Sequence, residues 1–449
     1  MEKEKEFELW ESMLDSKDYH HLRVIMTTEN EADIAEFIQE LPEKKAIPMF
    51  RTLPKELAAE VFSNLPSEVQ QLIVSSITDT EIAEIVEELC VDDAVDLVEE
   101  LPANVVKRVL RNATPETRKL INQFLQYPEN SVGSIMTVEF IDLQKTMTVQ
   151  DAFKRIRRNG EYCESIYTCY VIDDSRTLEG VVTARELLLA DEDDIIEELM
   201  TPDVISARTM EDQEEAVHQM MKYDFLSLPV TDTENKLVGI VTVDDVMDVM
   251  EDEATEDFEK MAAMLPSEKP YLKTSVFVLA RNRIVWLLVL MISSMITGSI
   301  LENFEAAFAV IPLLVTFIPM LTDTGGNAGS QSSTMVIRGM AVGEIRTRDF
   351  FRVMFKEMRV SLIVGIVLSL VNFIRLMIMY PGQSGVALTV AIALFATVVL
   401  SKTIGGTLPM LAKALHMDPA IMAAPLITTI VDAISLIIYF SVATSLLAI

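Results

Sequence analysis

Apolar positions along the chain follow three rhythms in turn. Up to about residue 126 they recur at helical spacing inside short blocks, as in LPKELAAEVFSNLP from Leu53 to Pro66. The blocks repeat every twelve residues. Leu41-Pro42, Leu53-Pro54, Leu65-Pro66 and Leu101-Pro102 mark the period, and Ile77, Leu89 and Ala113 keep the register between them. A proline just past each boundary suits a helix's first turn, where its missing N–H costs nothing. Short helices stacked in series make a solenoid, expected over about 30–126.

From about 127 to 250 the rhythm alternates between strand and helix, and the segment contains a duplication. SIMTVEFIDLQKTMTVQDAFKRI is echoed by ELMTPDVISARTMEDQEEAVHQM, and YVIDDSRTLEGVVTARELL by PVTDTENKLVGIVTVDDVM. Each copy predicts a strand, a helix, an apolar strand, a turn, a glycine-led strand and a second helix. Beyond residue 280 come five apolar stretches, near 283–301, 306–337, 359–380, 386–411 and 425–448. Crossing a membrane takes about 20 apolar residues. The second stretch is longer than a ~30 Å hydrocarbon core requires, so it should tilt or protrude.

Charge sharpens this division. The 449-residue chain is 50% hydrophobic yet carries a formal charge of −32. Residues 271–449 hold twelve bases and eight acids, and the first 270 residues hold 61 acids against 25 bases, a net −36. An acidic, water-soluble front half therefore precedes a membrane-embedded back half. The acidic balance excludes a nucleic-acid partner, which needs a basic footprint, and suits a cationic one. Basic residues gather at Arg281 and Arg283 and between the second and third stretches, from Arg338 to Arg359. By the positive-inside rule the N-terminal domains are cytoplasmic, and five spans put the C-terminus outside. Cys90, Cys163 and Cys169 lack CxxC spacing and are expected to be free thiols. Four scattered histidines and the absence of a nucleophile–base pair argue against an enzyme.

Two stretches in the back half carry candidate chemistry. In APLITTIVDAISLIIYF, Asp432 lies seven residues after Pro425, ~10 Å into its span. An acid at that depth costs at least ~2.5–3.5 kcal/mol and marks an ion path or a counter-ion. Thr428 and Thr429 share its helix face, and Pro425 should leave preceding carbonyls free to face a cavity. Such an oxygen-lined setting suits Mg²⁺, although Asp432 could instead pair with Lys402 or Arg375. The second stretch, PMLTDTGGNAGSQSSTMVIRG, sets Asn327 and Gln331 among Gly325, Gly326 and Gly329 inside the second span. A polar run there cannot face lipid, and the glycines admit another helix closely.

The two copies in the middle segment resemble CBS domains, with a Met-Thr start and a Gly-x-x-Thr strand-to-helix turn in each. That resemblance implies ATP or another adenine nucleotide as a candidate ligand, with an acid after the turn on the ribose. Asp245 fills the position in the second copy, and Glu186 replaces it in the first. The whole order, with TGGNAGSQSSTMVIRGMA and DPAIMAAPLITTIVDAISLIIYF, closely resembles the MgtE family of magnesium channels. The resemblance implies an acidic helical N domain over 1–126, CBS repeats over 127–190 and 191–250, an acidic connecting helix over 251–280, and a five-span pore domain over 281–449. It also implies a homodimer in the cell membrane whose second and fifth spans line the pore, with Asp432 as the main selectivity acid. Mg²⁺ bound between the cytosolic domains and the connecting helices would close that pore. The matching acids are Asp92, Asp96, Asp212, Glu214, Asp245, Asp248, Glu253, Glu256 and Asp257. A channel for Co²⁺ or Mn²⁺, or a membrane-bound CBS sensor that transports nothing, are the other readings of the residues.

Overall fold

The computed structural model describes residues 2–267, 271–272, 274–304 and 310–447. Glu305, the start of the second apolar stretch at 306–309 and the last residue of the fifth, 448, lie outside the described residues. The chain divides into two compact units, Met1–Met250 and Glu251–Ile449.

The first unit opens with α1 (Glu2–Asp15) and α2 (Tyr19–Met26). Eight helices follow whose first residues are twelve apart: α3 (Glu31–Glu40), α4 (Glu43–Phe50), α5 (Lys55–Ser63), α6 (Ser67–Ser76), α7 (Asp79–Glu88), α8 (Val91–Glu100), α9 (Ala103–Asn112) and α10 (Pro115–Phe124). Residues that start helices recur at the same interval. Asn30, Thr78 and Thr114 accept hydrogen bonds from first-turn amides, and Pro42, Pro54, Pro66 and Pro102 hold the extended backbone just before the helix. The prolines thus sit one residue earlier than the first helical turn. Each helix packs on its second neighbour, α3 on α5, α5 on α7 and α7 on α9, with α4, α6, α8 and α10 paired likewise. Their apolar faces make one core that includes the fully buried Ile34, Phe62, Ile73 and Ile82. Truncating Phe62 to alanine would cost ~3–5 kcal/mol.

The duplicated segment forms two matching three-stranded sheets. The first runs β1 (Phe140–Leu143), α11 (Val149–Asn159), β2 (Ser165–Ile172), β3 (Leu178–Thr183) and α12 (Ala184–Leu189). A short α13 (Ile196–Leu199) leads to β4 (Ala207–Arg208), α14 (Gln213–Tyr223), β5 (Ser227–Thr231), β6 (Leu237–Thr242) and α15 (Val243–Met261). In each sheet the first two strands are parallel and the last two antiparallel. The repeats share a seam in which the Tyr170 hydroxyl meets Ser227 Oγ at 2.6 Å, and Tyr170, Ile172, Leu178, Leu237 and Ile240 pack together. Gly239 is required there, because a Cβ would lie 2.6 Å from the carbonyl oxygen of Thr137.

The connector differs from its expected span of 251–280. α15 starts at Val243, inside the second repeat, and ends at Met261. The next helix begins at Val276. No glycine or proline interrupts 243–261, and an i,i+4 pair between Glu256 and Lys260 at 2.6 Å offsets part of the like-charge repulsion. The boundary between the units falls within this helix.

The second unit then contains α16 (Val276–Asn303), α17 (Ile318–Ala341), α18 (Phe350–Met379), α19 (Ser384–Ala414) and α20 (Ala424–Leu447). Among the described residues four helices, α16 and α18 to α20, are long and apolar enough to cross a membrane. α17 has the length, 24 residues, but carries the polar run. The second apolar stretch is not one regular helix: residues Pro312–Phe317 form a 3₁₀ turn before α17 starts. Pro312 and Pro319 each lack the amide a continuous α-helix would need. α17 packs on α19 and α20, and α18 lies along α19.

Candidate functional site

Asp432 is half-buried on α20. Neither candidate partner reaches it. The Lys402 ammonium, on α19 and 5% exposed, instead donates to Gln331 Oε1 at 3.3 Å and Ser332 Oγ at 3.4 Å. Ser332 Oγ in turn donates to Glu357 Oε2 at 2.6 Å. The Arg375 guanidinium reaches Met320 Sδ at 3.3 Å. Among the described residues no ion pair involves Asp432.

Pro425 does not free carbonyls within the helix. It is the second residue of α20, where no intrahelical amide is due. Its own carbonyl accepts the hydroxyls of Thr428 at 2.9 Å and Thr429 at 3.0 Å. Those hydroxyl protons are therefore committed, and what the threonines can offer a cation or its waters is lone pairs.

The small residues of α17 set the spacing of this bundle. A Cβ on Gly325 would lie 2.7 Å from Thr397 and 2.9 Å from Val431. One on Gly326 would lie 2.9 Å from Thr428, and one on Gly329 would lie 2.7 Å from Ile427. Gly405 on α19 is tighter still, its Cβ position being 2.2 Å from the carbonyl oxygen of Gly329. While these glycines face inward, Asn327, Gln331 and Thr334 are exposed on the opposite face of α17, and Asp323 with them. Spacings of four, four and three residues make that a single polar stripe.

The connector ends on the turn that leads into α20. Lys260 Nζ pairs with Asp418 Oδ2 at 2.7 Å as well as with Glu256. Asp418 caps the 3₁₀ turn Pro419–Met422 by accepting from the Ala420 amide at 2.8 Å. Met261 packs with Ile337, Ala420 and Ala423, and Ser333 Oγ donates to the Met422 carbonyl at 2.6 Å. Burial, and then the neighbouring Asp418, holds the Asp257 carboxyl above its ordinary range.

The front unit gathers a second set of acids around the start of α8. Asp92 Oδ1 is buried without a hydrogen-bond partner. Its carboxyl is pushed well above the usual range by burial, and then by Asp245, Asp93, Glu164 and Glu139. Burial pushes Asp93 up to about 7 and Asp245 up to about 6. Asp245 folds back on Thr242, whose hydroxyl donates to it at 2.5 Å, and Glu186 folds back on Thr183 in the same way at 2.8 Å. Cys90 Sγ donates to Glu164 Oε2 at 2.7 Å, and burial raises its thiol pKa, so it is not a reactive thiolate.

Asp212 caps α14 by accepting from the Glu214 amide at 2.9 Å. Asp96, Asp248 and Glu214 are exposed on their helices, and Glu253 lies on α15 beyond the unit boundary. Among the described residues no three His, Cys, Asp or Glu side chains stand close enough to share one ion. Sequence reasoning passed over Asp93, Glu139 and Glu164, and Asp323 in the back half. For Asp323 the signal was its spacing of four and eight residues from Asn327 and Gln331.

Comparison with known proteins gives the same division of the chain. Residues 318–442 match the MgtE family model, described as a divalent cation transporter. Residues 29–130 match the MgtE intracellular N domain, and residues 132–193 and 196–252 match CBS domains. The magnesium transporter MgtE of Thermus thermophilus is 39% identical over 333 residues, 74% of each chain. That of Bacillus subtilis is 34% identical over 413 residues, 92% of this chain and 91% of its own. A crystal structure of the soluble part of a magnesium transporter covers 56% of this chain and 99% of its own, at 30% identity and a TM-score of 0.54. The cytosolic domain of the Mg²⁺ channel MgtE in complex with ATP covers 53% and 98%, at 36% identity and a TM-score of 0.51.

Proposed function

This chain belongs to the MgtE family of magnesium transporters, and we propose that it is a dimeric Mg²⁺ channel of the cell membrane, silenced by intracellular Mg²⁺. One observation carries the path: Asp432 sits half-buried on an apolar helix with no cationic partner among the described residues, beside a helix whose outward face is polar. A polar stripe at membrane depth cannot face lipid. A second copy across a two-fold axis would enclose it, bringing two copies of Asp432 to one water-filled route. Carboxylates and hydroxyl lone pairs suit a hard cation that keeps part of its water shell.

The gate rests on the cost of the front unit's charge. Asp92, Asp93 and Asp245 stay protonated well above pH 4 because burial and mutual repulsion penalise their anions. A divalent ion removes that penalty, so it favours whichever arrangement brings the acids together. Asp96, Asp212, Glu214, Asp248, Glu253, Glu256 and Asp257 add carboxylates to the same response. Open carboxylate sites bind on the order of 10⁻³ M, and several acting together respond steeply. An adenine nucleotide is the second ligand of this reading, supported by the ATP complex of the MgtE cytosolic domain. Asp245 would have to leave Thr242 to meet a ribose.

Purified full-length protein in liposomes tests the reading. Mg²⁺ uptake should be fast at low internal Mg²⁺, fall at millimolar internal Mg²⁺, and be lost in Asp432→Asn. No uptake under any condition would favour the sensor, and faster Co²⁺ or Mn²⁺ uptake would reassign the ion.

A further inference from the structure

Asp323 is an acid of the membrane unit that neither the fold nor the connector explains. It lies on α17, five residues from the helix start, and its side chain is exposed in the subunit. Gly325 lies against Val431 and Ser435, Gly326 against Thr428 and Gly329 against Ile427. As numbers rise along α17 they fall along α20, so the two helices are antiparallel, and Asp323 comes level with the Asp432 region. The two carboxylates are close enough to interact electrostatically. Asp323 also heads the stripe that continues through Asn327 and Gln331, one and two turns on. Among the described residues no ion pair holds it; the Arg375 guanidinium contacts Met320, one turn away.

We propose that Asp323 is a second ion-facing carboxylate of the conduction path, which with Asp432 sets the charge that a hydrated divalent cation meets. The inference rests on the path proposed above. In a two-fold dimer it doubles the carboxylates at that level from two to four. Four charges around one narrow route raise the local concentration of divalent over monovalent cations, because the interaction scales with the ion's charge. Asp323 needs no direct bond to Mg²⁺ for this; it acts on the ion through its water.

The test uses the full-length protein in liposomes, with Mg²⁺ flux and block by hexaamminecobalt(III), a rigid mimic of the hydrated ion, as separate readouts. Asp323→Asn should raise the half-saturating Mg²⁺ concentration and the half-blocking cobalt concentration, each about 3–10-fold, and Asp323→Glu should restore both. If Asp432→Asn is silent while Asp323→Asn is unchanged in both readouts, this inference fails and the path stands. If Asp432→Asn conducts normally, the path itself fails. Asp323→Cys gives a measurement that does not depend on flux: a charged, membrane-impermeant thiol reagent should label it, and an unlabelled cysteine would overturn the proposal. Poor assembly of Asp323→Asn repaired by Arg375→Gln would overturn it in favour of a structural ion pair.

Discussion

Gly405→Ala should damage the membrane unit more than any other single methyl group added among its described glycines. The new Cβ would lie 2.2 Å from the carbonyl oxygen of Gly329, 2.8 Å from its carbonyl carbon and 2.9 Å from its Cα. All three atoms are backbone, so no rotamer change relieves the clash. A carbon–oxygen contact relaxes only near ~3.3 Å, so α17 and α19 must separate by about 1 Å. Overpacking alone costs ~1–3 kcal/mol. A gap of that size also forfeits a quarter to a half of each dispersion contact along the seam. We expect a loss of about 3 kcal/mol. For a unit of 150–250 residues that lowers the thermal midpoint by about 6–12 °C, and flux should fall with it as the α17 stripe shifts. The control is Gly298→Ala on α16, where nothing lies within 4 Å of the added carbon and alanine is the better helix former. Thermal scanning in detergent with tracer flux reads both variants. A Gly405→Ala protein that melts and conducts like the parent would refute the backbone contact.

Two further outcomes bear on the gate. Asp245→Ala with Glu253→Ala and Glu256→Ala should keep the channel open at internal Mg²⁺ that silences the parent, and Mg²⁺ should protect the connector less from protease; a variant closed at every Mg²⁺ level would show that ions are not needed for closure. The raised carboxyls give a pH signature in chelator. Unfolded aspartates titrate near ~3.9, whereas Asp93 and Asp245 titrate at about 7 and about 6, so the folded unit holds more protons between those values. The share of stability that these two groups contribute should therefore be full below pH ~4 and decline as pH rises toward 7. Asp92→Asn should raise the midpoint at pH 7 by the equivalent of ~1–3 kcal/mol and blunt stabilisation by Mg²⁺; a midpoint indifferent to pH and to this substitution would remove the buried-acid argument.

Local features were legible in the sequence, and partnerships across the fold were not. The twelve-residue period survived into helix starts because the cap residues recur with it, from Asn30 through Pro54 to Thr114. The duplication survived because Gly180 and Gly239 answer the same steric demand in each repeat. Asp432 stood out because an acid is conspicuous among apolar residues. The partner of Lys402 did not, since Gln331 is 71 positions away and on another helix. The same distance hid Glu164, which meets Cys90 across 74 positions. The connecting helix was placed too late and too long: it grows out of the second repeat at Val243, where no glycine or proline interrupts it, and stops at Met261, ahead of Pro266 and Pro270, which suit no helix interior.

Lys260 is a cation that the cell cannot dilute. Its backbone tether holds the ammonium within 2.7 Å of Asp418, at an effective concentration fixed by chain geometry rather than by any ion pool. Magnesium is the opposite, a cation whose supply is the variable. The share of the connector's hold on the Asp418 turn that comes from Lys260 is thus constant across the whole magnesium range and yields only to ionic strength. It gives the arrangement a floor. The slope above that floor is left to carboxylates such as the half-buried Asp257, whose charge a diffusible ion has to meet.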